Sequence, residues 1–250
     1  MSAVRALGEQ IVPLAWDSAF FGFPVAQLTA ERLDESALAA ATVACRARGI
    51  RCAYLLLDGD DAHGSALAQA DGFALRDVRL TFERELGDAS AADAGHAAPT
   101  PRPAIGPATA GQHAALETLA REAFTHTRFL ADPHFPQERS RELYAAMLRR
   151  GLDGGPERVT LADGDARGFV VCRLDTRDGV GTIELIAVAA SARGGGLGAA
   201  LVTAALARFR AAGLHRAQVA TQAANVASQR LYQRTGFRTC AAHLWLHRWF

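Results

Sequence analysis

The sequence predicts an α+β protein in two parts, on three observations. Segments that read as strands, alternating or continuously apolar, are interleaved along the chain with segments whose apolar residues recur at helical spacing. Residues 88–103 are rich in Ala, Pro, Gly and Asp, which marks a linker between a domain at 1–87 and a domain at 104–250. In the second domain an apolar strand, Thr182–Val188, passes through a small-residue turn and three consecutive glycines into a helix. With 250 residues, 50% hydrophobic and 21% charged, the chain has enough apolar surface for a substantial core and lacks the composition of a disordered protein.

The elements follow in order. Leu14–Phe23 is dense in aromatics; taken as packing alone, Trp16–Gly22 within it is an aromatic core strand, and Val25–Leu28 is strand-like. Asp34 reads as an N-cap, and Leu38, Ala41, Val43 and Cys45 as one helix ending at Gly49. Ala53–Leu57 is a buried strand, Asp58–Asp61 a turn, Ser65–Ala70 a short helix and Val78–Glu85 an alternating strand. Past the linker come a strand at Ala104–Pro107, a helix at Gly111–Phe124 and a polar, aromatic loop at 125–136 with two prolines. A helix at Gln137–Arg150 follows, then strands at Arg158–Ala162 and Arg167–Leu174 joined by the hairpin signal Asp163-Gly164-Asp165. After Thr182–Val188 the pattern gives a helix at Gly196–Ala212, a strand at Gln218–Thr221, a helix at Val226–Arg234 and a closing strand at Ala241–Trp249. Leu67-Ala-Gln-Ala-Asp-Gly-Phe73 echoes Leu231-Tyr-Gln-Arg-Thr-Gly-Phe237, and an alternating strand follows each. Ala68 stands where Tyr232 stands, so the first copy reads as scaffold and the second as the seat of chemistry.

Composition narrows the function classes. All 27 basic residues are Arg, and residues 185–250 hold eight of them and no acid, which leaves 19 Arg against 26 acids in residues 1–184. The basic third begins just before the glycines and suits a polyanionic ligand such as CoA or a nucleotide. Nucleic acid fits less well, because the arginines neither cluster nor interleave with aromatics. Cys45, Cys52, Cys172 and Cys240 are scattered without metal-ligand spacing, so free thiols in a reducing cytoplasm and no metal are expected. No apolar run approaches the roughly 18 residues a membrane helix needs, and the N-terminus lacks a signal-peptide pattern.

The glycine-rich turn is an anion site by its chemistry. Glycines let the backbone approach a ligand, and the free N–H groups of the first helical turn point at it with the helix dipole behind them. Three glycines there weaken the helix by about 1 kcal/mol each relative to Ala, a cost that calls for a compensating role. Gly194-x-Gly196-x-x-Ala199 meets half of a dinucleotide fingerprint, but the acidic residue expected about 20 positions on is missing, since no acid follows Glu184. The alternative, Arg193-x-x-Gly196-x-Gly198, resembles the acetyl-CoA pyrophosphate loop of the GCN5-related N-acetyltransferases, the GNAT superfamily. Asn225-Val-Ala-Ser228-Gln-Arg-Leu-Tyr232-Gln-Arg-Thr-Gly236-Phe237 resembles a second pattern of that superfamily, Asn-x-x-Ala/Ser-x-x-x-Tyr-x-x-x-Gly-Phe.

The paired motifs imply, over 104–250, a central mixed and mostly antiparallel sheet that splays open, with the N-terminal domain a degenerate half of the same kind. They imply an acyl-CoA-dependent N-acyltransferase with acetyl-CoA as co-substrate. Residues 193–199 (Arg193, Gly194, Gly195, Gly196, Leu197, Gly198 and Ala199) would cradle the pyrophosphate, the backbone at Ala187 and Val188 would hold the thioester, and Asn225 and Ser228 the pantetheine arm. Tyr232 would protonate the leaving thiolate. Glu184, the last acid of the chain, can serve as base or only pair with an arginine; alternation places Thr182, Glu184 and Ile186 on one face.

The acceptor is read from a narrower resemblance. Trp16–Gly22, the extra domain, Arg128-Phe129-Leu-Ala-Asp132, Thr221-Gln222 and the closing His-Leu-Trp-Leu strand look like the bacterial TDP-fucosamine acetyltransferases. That implies a small-molecule acceptor, the amino group of a dTDP-4-amino-4,6-dideoxyhexose, in a polysaccharide pathway, with Arg128, Phe129, Asp132, Thr221 and Gln222 lining its cleft and Arg128 facing a diphosphate. Another small amine, such as an antibiotic or a polyamine, and a non-catalytic acyl-CoA sensor are the alternatives. Oligomeric state, a homodimer included, is left open.

Overall fold

The computed structural model describes residues 11–29, 33–87 and 103–250. The linker expected at 88–103 lies, save its last residue, outside the described residues. The N-terminal part contains β1 (Ile11–Pro13), α1 (Ala15–Phe21), β2 (Val25–Leu28), α2 (Glu35–Ala47), β3 (Cys52–Asp58), α3 (Ala62–Ala70) and β4 (Ala74–Glu85). Then follow β5 (Ile105–Pro107), α4 (His113–Ala123), α5 (Arg128–Ala131), α6 (Gln137–Leu152), β6 (Arg158–Asp163), β7 (Gly168–Asp175), β8 (Val180–Val188), α7 (Leu197–Ala211), β9 (Arg216–Gln222), α8 (Val226–Arg234) and β10 (Arg238–Trp249).

Most elements fall where the apolar period puts them. The aromatic opening does not: Ala15–Phe21 is a helix, not a strand. Trp16 and Phe20, four residues apart, stack at 5.3 Å on one side of it. Ser18 Oγ donates to Leu14 O at 2.7 Å and accepts the Val25 N–H at 2.9 Å, and Gly22 ends the helix in the left-handed region at φ 81°. The loop expected at 125–136 contains a single helical turn, α5, capped by Thr127 Oγ1 accepting the Leu130 N–H.

One sheet runs through both halves in the order β1-β2-β3-β10-β4-β9-β8-β7-β6-β5. It is mixed and mostly antiparallel: β2–β3 and β8–β9 are its parallel pairs. The order explains the repeat. β2, α2, β3, α3 and β4 correspond in turn to β8, α7, β9, α8 and β10, but the last strands are exchanged, β10 pairing with β3 and β4 with β9. Gly72 aligns with Gly236, and the same offset carries Arg79 onto His243; these two are cross-strand partners, so a local two-fold passes between them.

Helices cover both faces. On one, α7 packs Leu201, Leu206 and Phe209 against Phe82, Ile183 and Val219, while α2 packs Leu38, Ala41 and Cys45 over β2 and β3. Phe82 and Phe209 are fully buried and contribute about 1.5–3 kcal/mol each. On the other face α4 and α6 cover β7 and β8, and an aromatic cluster from α1, α5 and α6 lies on Tyr54, Trp245 and Trp249. Cys45, Cys52, Cys172 and Cys240 are free thiols. Among the described residues no helix is long and apolar enough to cross a membrane.

Candidate active site

The sheet opens at one place. β8 and β9 are paired from Val180↔Arg216 to Ile183↔Val219; beyond that β8 continues to Val188 alongside β7, and β9 to Gln222 alongside β4. A cleft of about 470 Å³ lies there. A bulge accompanies the opening: Ile183 is opposite Cys172 and Leu185 opposite Val171, leaving Glu184 without a partner. The extra residue breaks the expected alternation. Ile183 and Ile186 pack into the α7 core, whereas Leu185 and Ala187 pack under α4 and α6, so Ile186 does not share a face with Thr182 and Glu184. The β8 edge past Ile183, through Ala187 and Val188, is outside the β8–β9 ladder, and its backbone groups can bond an extended ligand as a strand would.

The glycine-rich turn lies at the end of that edge. Gly194 and Gly196 have φ of 80° and 82°, which a side chain tolerates poorly, and Gly196 is the N-cap of α7 with no side-chain cap. The Ala200 N–H bonds back to Gly196 O, so the N–H groups of Leu197, Gly198 and Ala199 precede the helical ladder. A Cβ on Gly198 would meet Leu231 of α8 at 3.3 Å, so that glycine lets the two helices approach. Arg193 Nε donates to Val188 O at 3.2 Å and ties the turn to the strand, while buried Leu197 anchors it. Gly194, Gly195 and Gly196 are exposed, as an anion cradle requires.

On α8, Asn225 caps the helix by accepting the Ser228 N–H at 3.1 Å, a bond that uses Oδ1 and keeps the amide N–H₂ as a donor. About two turns after Asn225, Tyr232, 2% exposed, packs between Phe82 and Phe237 and belongs both to the α7 core and to the cleft wall. Burial pushes its phenol well above the ordinary value, opposed by a hydrogen bond with Ser228, so it is a neutral donor at working pH. Thr221 and Gln222 line the cleft from the end of β9. Glu184 lines it too, with both oxygens taken by Arg158 (Nε 2.9 Å and the second nitrogen 3.2 Å) and Arg173 at 3.6 Å.

The opposite wall comes from α1, α5, α6, β4 and β10. Arg128 lies over three rings, Tyr54 at 4.1 Å, Phe129 at 4.2 Å and Trp245 at 4.3 Å. Its guanidinium is 2.7 Å from His247 Nε2, and His247 Nδ1 is 2.8 Å from Asp132 Oδ2. Asp132 therefore does not line the cleft: it is fully buried behind it, accepting also from Trp249 Nε1 (3.0 Å), His134 Nδ1 (3.0 Å) and the His134 N–H (3.2 Å), with Arg76 at 3.4 Å. Burial alone would raise its pKa; the bonds from His247, Trp249 and His134 overcome this and hold the carboxyl well below its ordinary value. Burial and the Arg128 charge hold His247 down at about 4 against the pull of Asp132, so it is neutral, and its partners fix the tautomer: Nδ1–H donates to Asp132 and Nε2 accepts from Arg128.

The relatives decide what this cleft belongs to. The chain is 30% identical over 247 residues to dTDP-fucosamine acetyltransferase of Escherichia coli O6:H1 (strain CFT073), covering 95% of this chain and 97% of that one. Residues 120–237 match the Acetyltransferase (GNAT) family. The chain belongs to the GNAT family of acyl-CoA-dependent N-acetyltransferases. It is also 26% identical over 147 residues to the spore coat polysaccharide biosynthesis protein SpsD of Bacillus subtilis (strain 168), covering 58% of this chain but only 50% of that relative's length. Its fold is like that of a GCN5-related N-acetyltransferase from Sphaerobacter thermophilus, with a TM-score of 0.62, 13% identity and coverage of 92% of this chain and 73% of that one.

GNAT proteins use acetyl-CoA as co-substrate, and three features here fit it: the uncapped α7 N-terminus, the glycines at positive φ, and the open β8 edge. A Gly196→Asp variant should bind acetyl-CoA at least about tenfold more weakly by calorimetry, because a carboxylate would occupy the anion site. Gly196 is at φ 82°, so an Asp there also strains the backbone; the melting temperature should fall, and calorimetry is carried out well below the variant's transition. An unchanged affinity would remove the turn from the site. Glu184→Gln is expected to lower kcat less than about tenfold, short of the 10²–10⁴ of general base catalysis, because two arginines already hold its lone pairs. A flattened ascending limb in kcat against pH would show the opposite.

Several lining groups were missed in the sequence: Asp17, Asp77, Arg79, Arg150 and Trp245. Burial raises the carboxyl pKa of both Asp17 and Asp77, with Arg128 opposing. The available signal was on β4, where Asp77, Arg79 and Thr81 alternate on a strand that proves to be central in the sheet.

Proposed function

We propose that this chain transfers the acetyl group of acetyl-CoA to the amino group of a nucleotide-activated amino sugar, a dTDP-4-amino-4,6-dideoxyhexose. The observation that carries this reading is the extent of the likeness to dTDP-fucosamine acetyltransferase: it includes the N-terminal segment whose Trp16 and Asp17 complete the cleft. Residues 104–250 hold acetyl-CoA, and the acceptor side is walled jointly by α1 and β4 of residues 1–87 and by α5, α6 and β10. Residues Arg193 to Ala199 take the pyrophosphate, the β8 edge at Ala187 and Val188 the thioester region, and Asn225 and Ser228 the pantetheine amides. Acetyl-CoA supplies an activated acyl carbon; the amine nitrogen bonds to it as the carbon–sulfur bond breaks. Tyr232, kept neutral by burial, gives its proton to the departing sulfur and recovers one from solvent. The amine's proton leaves to water beside Glu184, whose oxygens are held by Arg158 and Arg173. Thr221, Gln222, Phe129 and Arg128 hold the sugar nucleotide, with Asp132 acting through His247 to fix Arg128.

The test is thiol release from acetyl-CoA against a panel of dTDP- and UDP-amino sugars, spermidine and an aminoglycoside. A dTDP-4-amino sugar should give the highest kcat/KM. Preference for spermidine or the aminoglycoside would refute the reading, and binding of acetyl-CoA without turnover on any amine would point to a sensor.

A further inference from the structure

The cleft gathers positive charge that the protein does not neutralise by direct contact. Arginines elsewhere on this face are paired: Arg158 and Arg173 with Glu184, Arg76 with Asp132, Arg121 and Arg149 with Glu117 and Glu142. Arg79 differs. It projects from the middle of β4; its Nε, like that of Arg76, is buried with no hydrogen-bond partner, but unlike Arg76 it has no carboxylate in ion-pair reach among the described residues. Burial, and the like charge of Arg128, lower its pKa. A buried, unpaired guanidinium nitrogen costs stability unless a ligand completes it. Arg150 stands at the rim of the same space, over the Trp16 ring at 5.1 Å.

Both arginines also line a second cleft of about 300 Å³, which runs on along β9 past Gln218 to Arg158 and Thr182. Arg79, Arg150, Ile183, Glu184 and Ala220 are common to the two, so the spaces adjoin at Arg79. The acids present are Asp17 and Asp77, set against Arg79, Arg128 and Arg150, while Glu184 is paired with Arg158. Arg128 is itself committed to three rings and to His247, which leaves Arg79, with its unpartnered Nε, and Arg150 as the cations at the junction.

We infer that Arg79, with Arg150 at the rim, forms a diphosphate-binding subsite where the two clefts meet, separate from the glycine turn that takes the CoA pyrophosphate. This rests on the acceptor reading above and deepens it. The diphosphate of the acceptor sits at Arg79, which leaves the second cleft for its nucleoside and the first for its amino sugar. A planar guanidinium with several donors suits bidentate contact with phosphate oxygens.

The experiment titrates inorganic pyrophosphate and dTDP into the full chain saturated with CoA, so that the glycine turn is filled. Arg79→Gln, Arg79→Lys and, as a charge-loss control away from the clefts, Arg238→Gln are compared with wild type. Pyrophosphate should bind the CoA-saturated protein and compete with the amine acceptor, not with acetyl-CoA. Arg79→Gln should weaken it roughly tenfold or more, Arg79→Lys should recover part, and Arg238→Gln should change it less than about twofold. No binding once CoA is present, or equal binding by Arg79→Gln and wild type, overturns the subsite. If the panel accepts nucleotide sugars but Arg79→Gln leaves their KM unchanged, the subsite falls and the function stands. If the panel rejects them while pyrophosphate still depends on Arg79, the subsite stands for a different anionic amine.

Discussion

Tyr232→Phe is expected to lower kcat by about 10²–10⁴-fold, the range of general acid catalysis, while acetyl-CoA affinity stays within about twofold. The change deletes one hydroxyl and keeps the ring between Phe82 and Phe237, so the core under α7 keeps its packing. What it removes is the neutral donor that burial maintains at the cleft wall. The loss should therefore fall on the transition state, in which charge develops on the sulfur, and appear in kcat instead of in binding. A thioester with a more acidic thiol should show a smaller deficit, since that leaving group needs less help. A variant with normal kcat on the true acceptor would make Tyr232 a packing residue. Thermal unfolding and calorimetry with CoA check that the fold and the cofactor site are kept.

Asp132→Asn is expected to destabilise the protein by about 3–5 kcal/mol, measured by urea unfolding. The carboxylate is fully buried and accepts from His247, Trp249 and His134, with Arg76 beside it. Asn offers one oxygen and an N–H₂, so one of these donors meets another donor and Arg76 loses its anion. The acceptor KM should rise as well, because His247 then has nothing to hold it against Arg128. The same cluster makes the wild type acid-sensitive. His247 titrates at about 4 when folded and near the ordinary ~6.5 when unfolded, so the unfolded chain binds more protons between those values and stability falls as pH drops through that window. Asp132 adds to the loss at lower pH still, since its depressed pKa stabilises the fold above the unfolded value and that contribution fades as it protonates. His247→Gln should lack the first of these two losses. An Asp132→Asn protein as stable as wild type would show that the carboxylate's contacts are not formed in solution.

Local rules account for what was legible in the sequence. Apolar period marked α2, α6, α7, α8 and most strands, and Gly194 to Gly198 with Asn225 to Phe237 marked the co-substrate side, because one turn and one helix carry those groups in consecutive residues. The repeat of Gly72-Phe73 in Gly236-Phe237 was visible too, although only the sheet order reveals that the two copies exchange β4 and β10. The acceptor side was legible only in part. Arg128, Phe129, Thr221 and Gln222 were expected in the cleft and do line it, whereas Asp77 and Arg79 of β4, Arg150 of α6 and Trp245 of β10 come from three distant elements, and nothing in the neighbourhood of any one of these elements indicates the others. Asp132 looked like a loop acid for the ligand and is instead the buried anchor of His247, since burial and partners depend on how α5 packs against β10. Glu184 was placed on its strand by sequence, but the bulge that leaves it unpaired and its capture by Arg158 are products of sheet register. Sequence by itself determined most of the elements and the glycine-rich turn, where bonding is between near neighbours. Tertiary structure decided the acceptor cleft, because long-range strand pairing sets which side chains share a face and which charges find partners.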